Sequence, residues 1–229
     1  MDEDEFEAWE DELGAQSDDE VLVALRVLQG DGSVEERAKA AISLGPAMEL
    51  YDLDELYDLS EAVARQAQDA LWEVVEDETQ PELVRRRALE ALVRCPEDRL
   101  KARVRIALDT PGDWRLTGLF CAGFLSGFEA DIRAGVASEV VAERVEAWGA
   151  AGAQLLHDLG RQAVRIAQDT SEDREVRIAA IGALETLKDD RGEAESVLAD
   201  LEQDDDEEIA AAASAVGDMR GVLSGLEDF

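Results

Sequence analysis

The sequence predicts an all-α chain, a right-handed superhelix (solenoid) of about six stacked helix pairs. Three observations predict it. No stretch alternates apolar and polar residues over a strand's length with β-branched enrichment. Apolar residues recur instead with the 3.6-residue helical period, as in Val21, Leu22, Leu25 and Leu28, in Val84, Ala88, Ala91 and Leu92, and in Ile178, Ile181, Ala183, Leu184 and Leu187. One motif, an arginine followed by small residues three and six positions on, returns along the chain at near-constant spacing.

The motif reads Arg37, Ala40, Ser43, then Arg85, Ala88, Ala91, then Arg115, Gly118, Cys121. It continues as Arg144, Ala147, Ala150 and Arg177, Ala180, Ala183, and ends as Ala210, Ala213, Val216 with the arginine replaced. Steps between copies are 48, 30, 29, 33 and 33 residues, so the long first step predicts an extra helical insertion near 46–60, around Tyr51, Leu53, Leu56, Tyr57 and Leu59. Small residues at these positions make a flat stripe that lets a neighbouring helix approach closely. One pair of about 30 residues cannot bury its apolar face alone, and stacking completes the core. The leading arginine lies near Glu36, Glu82, Asp113, Glu143 or Asp173, which predicts ion pairs between repeats or hydrogen bonds to loop carbonyls.

Breakers separate the helices: Gly30-Asp31-Gly32, Gly45-Pro46, Gln80-Pro81, Cys95-Pro96, Pro111-Gly112, Gly127, Gly149 to Gly152, Thr170-Ser171 and Asp189-Asp190. The four prolines suit first turns of new helices, where a missing N–H costs nothing. Ser33-Val34-Glu35-Glu36 has the form of a capping box. The organisation expected is an acidic tail or capping helix at 1–16, the solenoid at 17–220 and a short tail at 221–229. In the first segment Phe6, Trp9 and Leu13 are spaced as one helical face, which fits either a cover for the solenoid's end or an acidic peptide that docks on another protein.

Charge narrows the function. Fifty-six acidic residues against 22 basic ones leave a net charge of −34. A field of this sign repels nucleic acid and anionic membrane surfaces. No apolar run is long enough to span a bilayer, and Met1-Asp2-Glu3-Asp4-Glu5 is the opposite of a basic signal-peptide start, so cytoplasm is the expected compartment. Cys95 and Cys121 sit among apolar helical residues and are expected to be buried free thiols. Three lysines against 19 arginines, amid so many carboxylates, fit a protein kept soluble in concentrated salt. A GC-rich genome also favours arginine, but does not account for the carboxylates.

The charge is uneven. Residues 1–20 carry 11 acidic residues and no basic one, whereas 81–115 carry nine basic residues against six acidic. Within this basic zone Arg85 holds the motif position and is expected to be structural. Arg86, Glu90 and Arg94 fall at i, i+4 and i+8 and so form one stripe. Arg99, Arg103 and Arg105 extend the zone, and Trp114 follows it; tryptophan beside arginine is a common composition of binding hot spots. Arg86, Arg94 and Trp114 are therefore the candidate binding residues. Local neutralisation of carboxylates competes with that role.

Catalytic and metal chemistry find little support. His157 is the only histidine and ends an apolar run, as a structural or solvent-facing residue would. Asp204 to Glu208 lacks the alternate spacing and central glycine of a calcium loop and reads as an acidic loop entering a helix. Gly149 to Gly152 follows no strand and is no phosphate loop. No catalytic residue, metal ligand or cofactor is assigned.

The motif, in Asp173-Arg174-Glu175-Val176-Arg177-Ile178-Ala179-Ala180-Ile181-Gly182-Ala183-Leu184 and again in Pro81 to Leu92, resembles the second helix of HEAT and HEAT-like repeats. The resemblance covers about 17–220. It implies an armadillo-like helical solenoid whose surface binds an unidentified protein partner as a non-catalytic scaffold or adaptor. Two other functions follow only from the resemblance. HEAT-like DNA glycosylases that remove alkylated bases would need a basic groove, aromatic residues and a catalytic carboxylate; Trp114, Trp148 and Asp113 are available, but the charge opposes DNA. HEAT-like bilin lyases act with a partner chain and a chromophore, which nothing in the residues specifies.

Because 34 net negative charges repel one another in the compact state, stability is expected to rise with salt as the Debye length shrinks. The melting temperature should increase between low and molar potassium chloride; a flat or falling trend contradicts the repulsion.

Overall fold

The computed structural model describes residues 17–46, 59–95, 98–188 and 192–226. These form twelve α-helices, with no strand among the described residues. In chain order they are α1 (Asp18–Gln29), α2 (Val34–Ser43), α3 (Glu61–Glu76), α4 (Glu82–Ala91), α5 (Asp98–Asp109), α6 (Asp113–Ala122), α7 (Glu129–Val136), α8 (Val141–Ala153), α9 (Gly160–Gln168), α10 (Arg174–Ala183), α11 (Glu193–Leu201) and α12 (Glu207–Leu226). Every copy of the arginine motif falls in an even-numbered helix. The expected N-terminal segment 1–16 and most of the 46–60 insertion lie outside the described residues. At the other end, α12 continues past 220 to Leu226.

The chain divides into two compact units, Met1–Ile106 and Ala107–Phe229. In the first, α1 packs on α2 and α3, α3 on α4, and α2 on α4. In the second, α7 packs on α8, α9 on α10 and α11 on α12, while α6, α8, α10 and α12 pack in succession. The small residues sit at these contacts: Ala88, Ala147, Ala180 and Ala213 are fully buried. Leu71, Leu89, Leu92, Leu119, Ile132, Ile181 and Leu184 fill the space around them.

Glycine marks close approaches between successive even-numbered helices. A Cβ on Gly45 would lie 3.4 Å from the Ala91 Cα, one on Gly123 3.1 Å from the Ala150 Cα, and one on Gly152 3.4 Å from the Ala183 Cα. In each case the glycine stands eight residues after a motif arginine and meets the small residue six after the next. This explains a correction. Gly149 and Gly152 do not break the chain, because α8 runs through both; Gly152 is there for close packing.

Helix starts follow local chemistry. Ser33 Oγ accepts from the Glu36 N–H at 3.1 Å, and Glu36 Oε2 accepts from the Ser33 N–H at 2.8 Å, completing the expected capping box. Ser17 and Glu20 form a second box that starts α1. Pro81 and Pro111 stand before their helices rather than in the first turn. Pro81 is the cap, its carbonyl accepting from Arg85 N–H. Pro111 enters a turn closed by Gly112 at φ +79°.

Gly118 replaces the usual alanine because α5 and α6 nearly touch: a Cβ there would lie 2.7 Å from the Leu108 amide nitrogen. Gly118→Ala should therefore destabilise by about 1–3 kcal/mol. Gly149→Ala and Gly182→Ala, on helical positions with open space around them, should each stabilise by about 0.5–1 kcal/mol. Urea unfolding in molar salt measures both, and a neutral Gly118→Ala contradicts the close approach.

Candidate functional site

The motif arginines are committed to packing. Arg37 Nε donates to the Leu28 carbonyl at 2.9 Å, Arg85 Nε and one terminal nitrogen to Val75 at 3.3 and 3.2 Å, Arg115 to Leu108 at 2.6 Å, and Arg177 Nε to Ala167 at 3.1 Å. The acceptor is each time the penultimate residue of the preceding helix, whose terminal carbonyls have no intrahelical partner. The same arginines reach forward to the next pair. Arg37 donates to Gln80, Arg115 Nε lies 3.0 Å from Glu143, Arg144 makes a two-pronged pair with Glu172, and Arg177 lies 3.0 Å from Asp204. Arg37, Arg115 and Arg177 thus each hold a carbonyl and also reach a side chain further along the chain. Only Glu143 is among the neighbouring acids the sequence points to; Gln80, Glu172 and Asp204 come from the loops ahead of the next helix.

Electrostatics follow the geometry. The Arg144 guanidinium holds the Glu172 carboxyl below its ordinary range and is itself held more firmly charged. Asp204 is lowered first by the Asp206 N–H and then by Arg177. A lowered carboxylate contributes stability above its unfolded pKa and loses it as pH falls through the folded value. Three of the 204–208 acids, Asp204, Asp206 and Glu208, are engaged: Asp206 Oδ1 accepts from the Glu208 N–H at 3.1 Å, and Arg174 pairs with Glu208 at 2.8 Å. Among the described residues, no group of three His, Cys, Asp or Glu is placed to hold a metal ion, and no helix is long and apolar enough to cross a membrane.

The candidate residues are distributed as follows. Arg86 is half-buried on α4 in the first unit. The α-helix stops at Ala91 and continues as a 3-10 turn over Leu92–Arg94, so exposed Arg94 leaves the regular i+8 position. Glu90, between them in sequence, is 5% exposed and pairs with Arg87. Arg99 of the same unit lies over the Trp72 ring at 3.8 Å, a cation–π contact that the sequence did not signal. Trp114 is half-buried on α6 in the second unit. Trp148 is fully buried, which removes it from any surface aromatic set. Cys121 is buried and Cys95 half-buried, both as free thiols. His157 is exposed, and its Nδ1 accepts from the Lys188 N–H at 3.2 Å.

One feature of the second unit had no sequence signal. Leu155 has φ +53°, the left-handed region that favours glycine, and it is 53% exposed. It closes α8, with Leu155 N–H on the Gly152 carbonyl and Leu156 N–H on the Ala151 carbonyl, both at 3.0 Å. Gln154 Nε2 donates to the Ala122 and Gly123 carbonyls at 3.2 and 3.1 Å, which brings this turn beside that of Phe124. Phe124 is 47% exposed and its ring centroid lies 5.2 Å from that of Phe120.

No family model and no curated protein matches the chain.

The difference between committed and surface arginines is measurable. Arg177→Ala leaves the Ala167 carbonyl without its donor and Asp204 without its ion-pair partner, and should cost about 2–4 kcal/mol. Arg174→Ala, whose side chain is 52% exposed, should cost under about 0.5 kcal/mol. Equal costs in denaturant unfolding contradict the assignment.

Proposed function

We propose that the chain is a HEAT-like α-solenoid of six helix pairs that works as a non-catalytic scaffold, binding a protein partner. The helix order, the motif at every even-numbered helix and the arginine bonds between successive pairs support the solenoid. Repeats of this kind gain stability from neighbours, which leaves their outer surfaces available for contact.

The observation that carries the binding reading is Leu155. A leucine in the left-handed region costs about 1–2 kcal/mol relative to a residue free to occupy it, and here its side chain is exposed beside the Phe124 turn. Strain kept where it presents an apolar side chain to solvent is a mark of contact surfaces. The basic zone of the first unit, with Arg86 and Arg94, supplies a second contact for an acidic partner, and Trp114 a candidate in the second unit. Charged rims of this sort set encounter rate and specificity.

Leu155→Gly is the informative variant because it should fold better. It is expected to raise stability by about 1 kcal/mol while losing the partners that wild type captures from source cells in molar salt. Arg86→Ala with Arg94→Ala, and separately Trp114→Ala, should weaken the same capture. Partner sets unchanged by all three contradict the scaffold reading, and tight binding of duplex DNA at low salt would replace it with the base-removal function.

A further inference from the structure

The basic zone of the sequence is densest on one helix. From Arg99 to Leu108, α5 carries Arg99, Lys101, Arg103 and Arg105 and no acid, which is more cations than any other described helix holds. Leu100 and Val104 are fully buried and fix the inward side of α5. At about 100° per residue, Ala102 and Ile106 then lie on the outward side, one turn apart. Both are exposed, Ile106 by 53%. Arg99 flanks them on one side, and Lys101 and Arg105, also one turn apart, flank them on the other. Asp98 and Asp109 bound this face at its two ends.

The cations differ in what holds them. Arg99 lies over the ring of Trp72 at 3.8 Å, and Trp72 is itself 4% exposed, so the guanidinium is held against α3 while the residue stays exposed. Arg103 is half-buried on the same flank. Burial, and then the Arg85 charge, pull its guanidinium below the ordinary range, with Glu78 and Glu76 opposing. Arg103 therefore belongs to the charge balance inside the unit. Lys101 and Arg105 are exposed.

We propose that this face of α5 binds an acidic amphipathic helix of a protein partner. Its apolar side chains lie over Ala102 and Ile106, with carboxylates toward Arg99 on one flank and toward Lys101 and Arg105 on the other. The proposal rests on the scaffold reading and names the chemistry of the partner. Charge complementarity selects this occupant, and an apolar centre between charged flanks is the layout by which amphipathic helices are recognised. A guanidinium has five donors, so it keeps a neighbour within the chain and still donates to a further carboxylate. A nucleic acid fits less well, because the field of a chain with net charge −34 acts on every phosphate of a long polyanion, whereas a short helix meets only this face. The same field repels an acidic helix at long range. In molar salt the Debye length is about 3 Å, so that repulsion is screened and the groups in contact decide.

Fluorescence anisotropy with the full-length chain in molar potassium chloride tests this. The probe is a labelled helical peptide whose leucine seam is flanked by glutamates on both sides, with a counterpart carrying lysines in their place. The glutamate peptide should bind, and the lysine peptide should bind about tenfold or more weakly. Lys101→Glu with Arg105→Glu should weaken the glutamate peptide about tenfold or more. Ile106→Ser should do the same through the lost apolar contact, by about tenfold. All three positions are exposed, so far-ultraviolet circular dichroism should not change. A glutamate peptide that does not bind, or binds no better than the lysine peptide, overturns the inference. So does binding indifferent to both variants, and so does displacement of the peptide by a short oligodeoxythymidine, which would make nucleic acid the ligand. The scaffold reading fails separately, on capture that Leu155→Gly, Arg86→Ala with Arg94→Ala, and Trp114→Ala all leave unchanged.

Discussion

A guanidinium at the first turn of α2, α4, α6, α8 and α10 is the part on which the other contacts depend. Arg37, Arg115 and Arg177 face both ways, backward to the penultimate carbonyl of the helix before and forward to a polar side chain at or ahead of the start of the next even-numbered helix; Arg85 holds the backward bond and Arg144 the forward one. Only arginine suits both directions at once, with five donors in a planar fork and a charge that never titrates. The backward bond meets a need every helix has, since its last carbonyls lack intrahelical partners. The forward bond ties one pair to the next: Arg37 to Gln80 in the first unit, then Arg115 to Glu143, Arg144 to Glu172 and Arg177 to Asp204 in the second.

With that end fixed, the far end of the helix has a defined neighbour. Gln154 caps the carbonyls closing α6, Thr186 Oγ1 donates to Gly152 at 2.8 Å near the end of α8, and Arg220 donates to Leu184 and Leu187 beyond α10. The middle must then be thin, hence the alanines and the glycines at Gly45, Gly123 and Gly152. Each contact is weak by itself, a net of about 1–3 kcal/mol for a bond to a charged group. Repetition makes them a nearest-neighbour system. It also accounts for scarce cations in a chain of net charge −34: most motif arginines hold helices together, while acids cover the outside.

The fold class was legible because its determinants are periodic. Arg85, Arg115, Arg144 and Arg177 recur at steps of 29–33 residues, and the small residues after them have one physical role, so the all-helical class follows from the pattern. What depended on backbone detail was not legible. Arg86 and Arg94 looked like one stripe because nothing in Leu92-Val93 announces a switch to a 3-10 turn. Gly149 to Gly152 reads as a break, since glycine for close packing and glycine for turning are the same letter. Arg220 bonds to carbonyls, which every residue has, and Leu155 carries its signal in φ. The surface that the binding reading rests on was therefore the part least visible beforehand.

The arginine link between successive pairs is tested most directly by a double-mutant cycle on Arg144 and Glu172, whose two-pronged pair is largely withdrawn from solvent, with side chains 18% and 15% exposed. Unfolding free energies of wild type, Arg144→Ala, Glu172→Ala and the double variant should give a coupling of about 1–3 kcal/mol that persists in molar salt. Additivity within about 0.3–0.5 kcal/mol would mean that the pairs are held together without it.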